Sequence, residues 1–278
     1  MDKKNLYIGW DIGGAHTKYT ISSDTRDIVE SRIILCELWK SLSQLEGIVK
    51  SIDIKYRKKF HIINLISMSA EMCDIFSSRR EGVKAILSLF ENKGFINHIY
   101  SKDNRILKFQ GFKKYLSLAS TNWMAIPDYL KSMDKNIIAI DIGSTTTDIV
   151  LIKNHTCINK RHDDYSGLNT KELLYTGVLR TPIYSVIKTL NLNKRVYNVI
   201  PENFATMSDV YRLLSIIQKK SDYTNTADGR LKSKKDTLNR ISRVFGFDYC
   251  MDKNKTIYML SRKILSLIHI SEPTRRTP

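Results

Sequence analysis

The chain of 278 residues has only four cysteines. Cys36, Cys73, Cys157 and Cys250 form no C-x-x-C pair and no Cys/His cluster at zinc spacing. That excludes a zinc ribbon or a dithiol redox motif and fits free thiols in a reducing compartment. No stretch approaches the roughly 18 consecutive apolar residues of a membrane span. The charged start Met1-Asp2-Lys3-Lys4, with Asp11 and a glycine turn close behind, interrupts what would be a signal core. The sequence therefore reads as cytoplasmic, with no membrane partner. Aromatics interleaved in a basic strip, the pattern that stacks bases, are also missing. Formal net charge is +17, yet the lysines are spread thinly along a chain also rich in Ile and Asn, a pattern of AT-rich coding. The charge favours phosphorylated small partners over nucleic acid. An apolar content of 42% fits an ordinary globular core, and the length allows two modest domains or one large one. Homo-oligomerisation stays open.

The C-terminus does not read as ordinary protein. Leu265-Ser266-Leu267-Ile268-His269-Ile270-Ser271-Glu272-Pro273-Thr274-Arg275 resembles the in-frame translation of a transposon-based sequencing-library adapter. The alternative is a natural apolar helix end followed by a proline-containing tail. The adapter reading carries three expectations: residues 265–278 are not native and do not pack as native structure, Leu265, Leu267, Ile268 and Ile270 can still adhere to exposed sheet, and the natural chain continues past Lys263-Ile264.

What is present is dominated by two near-matching glycine turns. Gly9-Trp10-Asp11-Ile12-Gly13-Gly14-Ala15-His16-Thr17-Lys18 follows the apolar run Leu6-Tyr7-Ile8. Asp141-Ile142-Gly143-Ser144-Thr145-Thr146-Thr147-Asp148 follows Ile137-Ile138-Ala139-Ile140. Each ends a strand on Asp, then runs through Gly and small hydroxyl residues into another strand. A carboxylate at a strand end can hold Mg²⁺, directly or through water. Glycine lets backbone N–H groups approach phosphate oxygens, and Ser and Thr hydroxyls add donors. One such turn is an ordinary hairpin feature. Two, one per half of the chain, point to a cleft clamping a phosphorylated ligand from both sides. Asp11 and Asp141 are the expected metal ligands. Gly13, Gly14, Thr17, Lys18, Gly143, Ser144, Thr145 and Thr146 are the expected phosphate contacts. His16, inside the first turn, suits a structural role as well as a ligand role. The arrangement resembles the superfamily of actin, the acetate and sugar kinases and the heat-shock ATPases. That resemblance implies an α/β fold of two ribonuclease-H-like domains, 1–134 and 135–264, the second incomplete.

Alternation and periodicity organise the rest. Strands are expected over Leu6–Asp11, His16–Ser22, Ile28–Cys36, His61–Ile66, Asn97–Tyr100 and Ile106–Phe109. The opening meander recurs at Ile137–Asp141, Thr145–Lys153 and Thr156–Asn159, with a further strand at Val196–Ile200. Helical spacing covers Trp39–Ile54, Glu81–Phe90, Leu116–Leu130, Ala205–Gln218 with Thr206 or Ser208 as its cap, Lys235–Val244 and a last stretch to about Arg262. Gly167–Thr176 reads as a loop and short helix.

Other candidates lie in four segments. Glu71 and Asp74 are three apart, so a helical turn would put them on one face; they could serve as base or water-orienting acid, though spacing alone favours a solvated helix start. Glu172, Tyr175 and Arg180 surround Gly177 and Pro182 and could line a pocket. Asp209 and Arg212 sit one turn apart on a helix, the spacing of a surface i,i+3 ion pair. Asp228 and Arg230 flank Gly229 in a turn with a free carboxylate and guanidinium.

Together these segments are similar to one family. G-W-D-I-G-G-A-H-x-K, M-x-x-E-x-C-D-x-F, A-S-x-N-W, D-I-G-S-T-T-T-D-I, E-L-x-Y-T-G-V-x-R-T-P, F-A-T-x-x-D-V-Y-R-L and T-A-D-G-R resemble hydantoinase/oxoprolinase-like proteins linked to tetrahydromethanopterin and methanofuran one-carbon metabolism. The resemblance spans nearly all of residues 6–262. It implies a transferase joining γ-glutamyltyramine to an aminomethylfuran methyl diphosphate and releasing diphosphate. It further implies Mg²⁺ near Asp11 and Asp141, a base at Glu71 or Asp209, and Glu172, Arg180, Arg212, Asp228 and Arg230 as substrate contacts. The same turns would serve ATP in a small-molecule kinase, in an oxoprolinase-type amide hydrolase, or in an ATP-binding regulator without chemistry. The superfamily's late glycine-rich turn does not occur before Leu265.

Overall fold

The computed structural model describes residues 3–91, 93–102, 105–109 and 114–268. The chain divides into two compact units, one of Met1–Ala139 with Val150–Glu172 and one of Ile140–Ile149 with Leu173 onward.

The first unit is built on a six-stranded sheet. β1 (Lys4–Ile12), β2 (His16–Ser23) and β3 (Ile28–Leu35) form an antiparallel meander. α1 (Ser43–Tyr56) then crosses back to β4 (Phe60–Met68), which lies parallel to β1. α2 (Arg79–Ser88), β5 (Ile96–Ser101) and β6 (Arg105–Lys108) complete the order β3-β2-β1-β4-β5-β6. β1 alternates as expected of a strand with one core face, burying Leu6, Ile8, Trp10 and Ile12. They pack with Leu45, Val49 and Ile52 of α1 and with Val83, Ile86 and Leu87 of α2. Each such side chain contributes about 1.5–3 kcal/mol on burial. An amide relay crosses the sheet beneath them. Trp10 Nε1 donates to Asn64 Oδ1 at 2.9 Å, Asn64 Nδ2 to Asn97 Oδ1 at 2.8 Å, and Asn97 Nδ2 to the Phe90 carbonyl at 2.9 Å. The Trp10 ring lies 5.3 Å from both Tyr19 and Phe90.

The expected helix over Leu116–Leu130 is broken. Short 3₁₀ turns cover Tyr115–Leu118 and Asn122–Met124, and only α3 (Ala125–Leu130) is α-helical. The break falls at Ser120, held left-handed at φ 52°. β7 (Asn136–Ile142), β8 (Thr147–Lys153), β9 (Thr156–Cys157), α4 (Asp164–Thr170) and β10 (Leu173–Leu174) follow, with strand order β10-β8-β7 and β9 beside β8.

The rest of the second unit is mostly helical. α5 (Ile183–Val186) precedes a two-stranded ribbon, β11 (Thr189–Leu192) and β12 (Arg195–Asn198); only the second of these strands is expected from the sequence pattern. α6 (Met207–Leu213) is capped by Thr206 in a reciprocal box with Asp209. It stops short of the expected Gln218 because Ser215 turns left-handed at φ 57°. α7 (Lys234–Val244) and α8 (Asn254–Ile268) complete a core with Val210, Leu238, Ile241, Ile257, Leu260 and Ile264. α8 runs past the expected end at about Arg262 to Ile268, and Leu265 and Leu267 pack against this core. Residues 269–278 lie outside the described residues. No helix among the described residues is long and apolar enough to cross a membrane.

Candidate phosphate turns and the polar centres behind them

The two glycine turns fold alike. Gly13 N donates to the His16 carbonyl at 3.0 Å, and Gly143 N to the Thr146 carbonyl at 2.8 Å. Both bonds run back into the turn, so these amides do not point at a ligand as expected. Among the described residues, the next amides, of Gly14 and Ser144, donate to no backbone carbonyl. The carbonyls of those same residues are claimed by a following segment. Leu38 N reaches the Gly14 carbonyl at 2.9 Å; Leu179 N and Arg180 N reach the Ser144 carbonyl at 3.1 and 2.8 Å. In each turn the second small residue thus gives its carbonyl to a following segment, while its amide meets no backbone carbonyl among the described residues.

In the first turn, Asp11 Oδ2 accepts from Lys18 Nζ at 2.8 Å, and both side chains are part-exposed. Thr17 is buried, so it is no phosphate contact. His16 is buried as well. A single part-exposed carboxylate suits Mg²⁺, which keeps several waters and takes its remaining ligands from phosphate. No group of three or more His, Cys, Asp or Glu among the described residues could hold a metal alone.

In the second turn, Asp141 is exposed and Ser144, Thr145 and Thr146 are half-buried. Gly177 lies against the turn: a Cβ there would meet Thr145 N at 2.4 Å. Thr147 Oγ1 donates to the Thr176 carbonyl and Thr181 Oγ1 to the Gly177 carbonyl, each at 2.8 Å. Met207 N to the Thr181 carbonyl and Ser208 N to the Leu179 carbonyl fasten this strap to α6. Arg180 is exposed, and its backbone is docked on Ser144. Glu172 does not line a pocket; it is buried, and its oxygens accept from the amides of Lys160 and Arg161 at 2.9 and 2.7 Å.

Glu71 and Asp74 are not on one face. Asp74 is exposed, whereas Glu71 is 0% exposed in a 3₁₀ turn. Glu71 Oε1 accepts from Ser120 N at 2.8 Å and from Ser120 Oγ at 2.9 Å. Oε2 is buried without a hydrogen-bond partner. Burial pushes the carboxyl above its usual range against the pull of these bonds.

Asp209 and Arg212 form no surface pair. Asp209 is 1% exposed, its Oδ1 shared by Arg212 Nη1 at 2.6 Å and Arg240 Nε at 2.9 Å, its Oδ2 held by Thr206 N at 3.1 Å. Arg212 grips Asp222 with two bonds of 2.6 and 2.9 Å. Arg240, fully buried, also binds Asp228 at 3.1 Å, so that carboxylate is not free as expected, while Arg230 is exposed. Burial opposes the Arg212 charge, but the Asp222 and Asp209 carboxylates more than offset it. Burial also opposes the Asp222 charge, and Arg212 outweighs it, holding that carboxyl below its usual range. Sequence reasoning misses Ser120, Asp222 and Arg240, because their partners lie 49, 10 and 31 residues away.

Comparison with known proteins adds to this geometry. The profile of the hydantoinase/oxoprolinase family matches residues 65–266. A Methanocaldococcus jannaschii protein named (4-{4-[2-(gamma-L-glutamylamino)ethyl]phenoxymethyl}furan-2-yl)methanamine synthase is 32% identical over 94% of this chain and 78% of its own length. A Methanococcus vannielii protein of the same name is 36% identical over 45% of this chain and 54% of its own. Among solved structures, nucleotide-free acetone carboxylase aligns over 95% of this chain and 61% of its own with TM-score 0.53 at 10% identity. That likeness concerns fold alone, a mixed α/β architecture shared with acetone carboxylase.

Proposed function

The chain belongs to the hydantoinase/oxoprolinase family, and from that membership we propose that it is a methanofuran-biosynthesis transferase. It would join γ-glutamyltyramine to an aminomethylfuran methyl diphosphate and release diphosphate. The observation that carries this reading is the 32% identity to the M. jannaschii synthase over 94% of the chain. The product in that relative's name is a phenoxymethylfuran, so one bond must form between a phenol oxygen and a furan-bound CH₂.

The proposed step balances simply. The CH₂–O bond to diphosphate breaks with its electron pair leaving on diphosphate. The furan ring spreads the positive charge left on CH₂, the phenol oxygen bonds to that carbon, and the phenol proton passes to a carboxylate. The amides of Gly14 and Ser144, which meet no backbone carbonyl among the described residues, would with Lys18 and Arg180 stabilise charge as it develops on the departing group. Lys18 would exchange Asp11 for a phosphate oxygen. Mg²⁺ held at Asp11 and Asp141 would neutralise further leaving-group charge. Asp209 is locked between two guanidiniums, whereas Glu71 keeps one oxygen without a hydrogen-bond partner; Glu71 would therefore be the proton acceptor, provided its 3₁₀ turn opens, because it is closed to solvent in this structure.

The test is direct. A full-length version, with both substrates and Mg²⁺ and no ATP, should yield the aryl ether by mass spectrometry and one equivalent of diphosphate, whereas the 278-residue chain by itself should be inactive. ATP-dependent phosphorylation or amide cleavage would replace this reading with a kinase or an oxoprolinase-type hydrolase. ATP binding without turnover would indicate a regulator.

A further inference from the structure

The two glycine turns also provide an internal ruler. Setting Asp11 against Asp141 places Ile8, Trp10 and Ile12 of β1 opposite Ile138, Ile140 and Ile142 of β7. The β1 side chains are 1%, 3% and 0% exposed; their counterparts are 75%, 61% and 57% exposed. The sequence is equally apolar in both, so the difference lies in what covers them. β1 has β2 on one edge and the parallel strand β4 on the other, with α1 and α2 over its apolar face. Among the described residues β7 has only β8 beside it, and stands at the end of the order β10-β8-β7. A strand with a free edge and a row of exposed isoleucines is a template for strand addition, and contiguous exposed apolar surface marks an interaction site.

We propose that the free edge and open face of β7 seat a parallel β-strand backed by an amphipathic helix. This is the pair that β4 and α1 supply to β1. The occupant is polypeptide corresponding to the part of the M. jannaschii relative that lies outside the 78% matched by this chain. A second copy of the chain fits less well. A two-fold axis beside β7 would pair it antiparallel with itself and could not reproduce the parallel β1–β4 arrangement. The inference rests on the repeated turn and does not depend on the proposed reaction.

Hydrogen exchange at the amides of residues 137–142 tests it. The unmatched segment of the relative is fused to this chain and, separately, added in trans as a peptide. In the chain alone these amides should exchange rapidly and the protein should bind an apolar dye. In the fusion, or on adding peptide, exchange should slow at least tenfold and dye binding fall. Ile140→Asp should abolish that protection while leaving β1 amides protected. Unchanged exchange in both fusion and mixture would overturn the proposal. So would slow exchange in the monomeric chain alone, or protection that appears only as the chain dimerises with concentration. If the fusion is insoluble, exchange in the mixture decides between the same outcomes.

Discussion

Glu71 and Asp222 are both buried acids, and their neighbours give them opposite responses to pH. Glu71 is desolvated, and burial outweighs the hydrogen bonds from its own backbone and from Ser120, so its folded-state pKa is raised. The folded protein holds that proton more tightly than the unfolded chain. The associated stability is therefore complete in acid and lost as pH rises through the raised pKa. Glu71→Gln keeps an acceptor for Ser120 and places a donor at the unpartnered position. Its melting midpoint should match the parent in acid and exceed it near pH 8. Asp222 is depressed by Arg212, so its contribution is present above the ordinary carboxylate range and fades as pH falls through the lowered pKa. Between Arg212 and the Asp228 turn stands Arg240, the largest fully buried side chain. Arg240→Met leaves Asp209 with Arg212 as its one guanidinium and Asp228 without any. Removing one partner from a buried charge network costs about 3–5 kcal/mol, and a urea titration should show that loss.

At the scale of elements, the second turn and the Gly177 strap act as one piece. Gly177→Ala drives a methyl into the Thr145 backbone, so the turn must shift. Calorimetric titration with inorganic diphosphate and Mg²⁺ should show at least tenfold weaker binding, whereas Gly9→Ala, with nothing within 4 Å of the new Cβ, should bind as the parent does. Elements of this kind are legible in sequence where local pattern decides them. The β1–β2 and β7–β8 strands follow from alternation around a glycine, and Thr206 is a cap because Asp209 sits three residues on. What stays hidden depends on distant contacts. The break at Ser120 is imposed by Glu71 across 49 residues. An arginine on the apolar face of α7 makes sense only once Asp209 and Asp228 arrive there. The inward direction of the Gly13 and Gly143 amides is a matter of backbone torsion, which residue identity at a glycine leaves open.

For the whole molecule, a ligand that binds only the folded state raises stability by mass action, about 2.7 kcal/mol at one hundred times its dissociation constant. Inorganic diphosphate with Mg²⁺ should therefore raise the melting temperature of this basic chain, and inorganic phosphate should do so less. Equal shifts with sulfate at the same ionic strength would reduce the effect to net charge. The choice of signal matters in such a melt. Trp10, Trp39 and Trp123 all belong to the first unit, and the second has no tryptophan. The Trp10 indole, enclosed by Tyr19 and Phe90 and tied to Asn64, should emit at short wavelength and shift red on unfolding. Tryptophan emission thus watches one half of the chain. A ligand held by the Ser144 turn could change the other half while the fluorescence trace stays flat, and circular dichroism would have to record it.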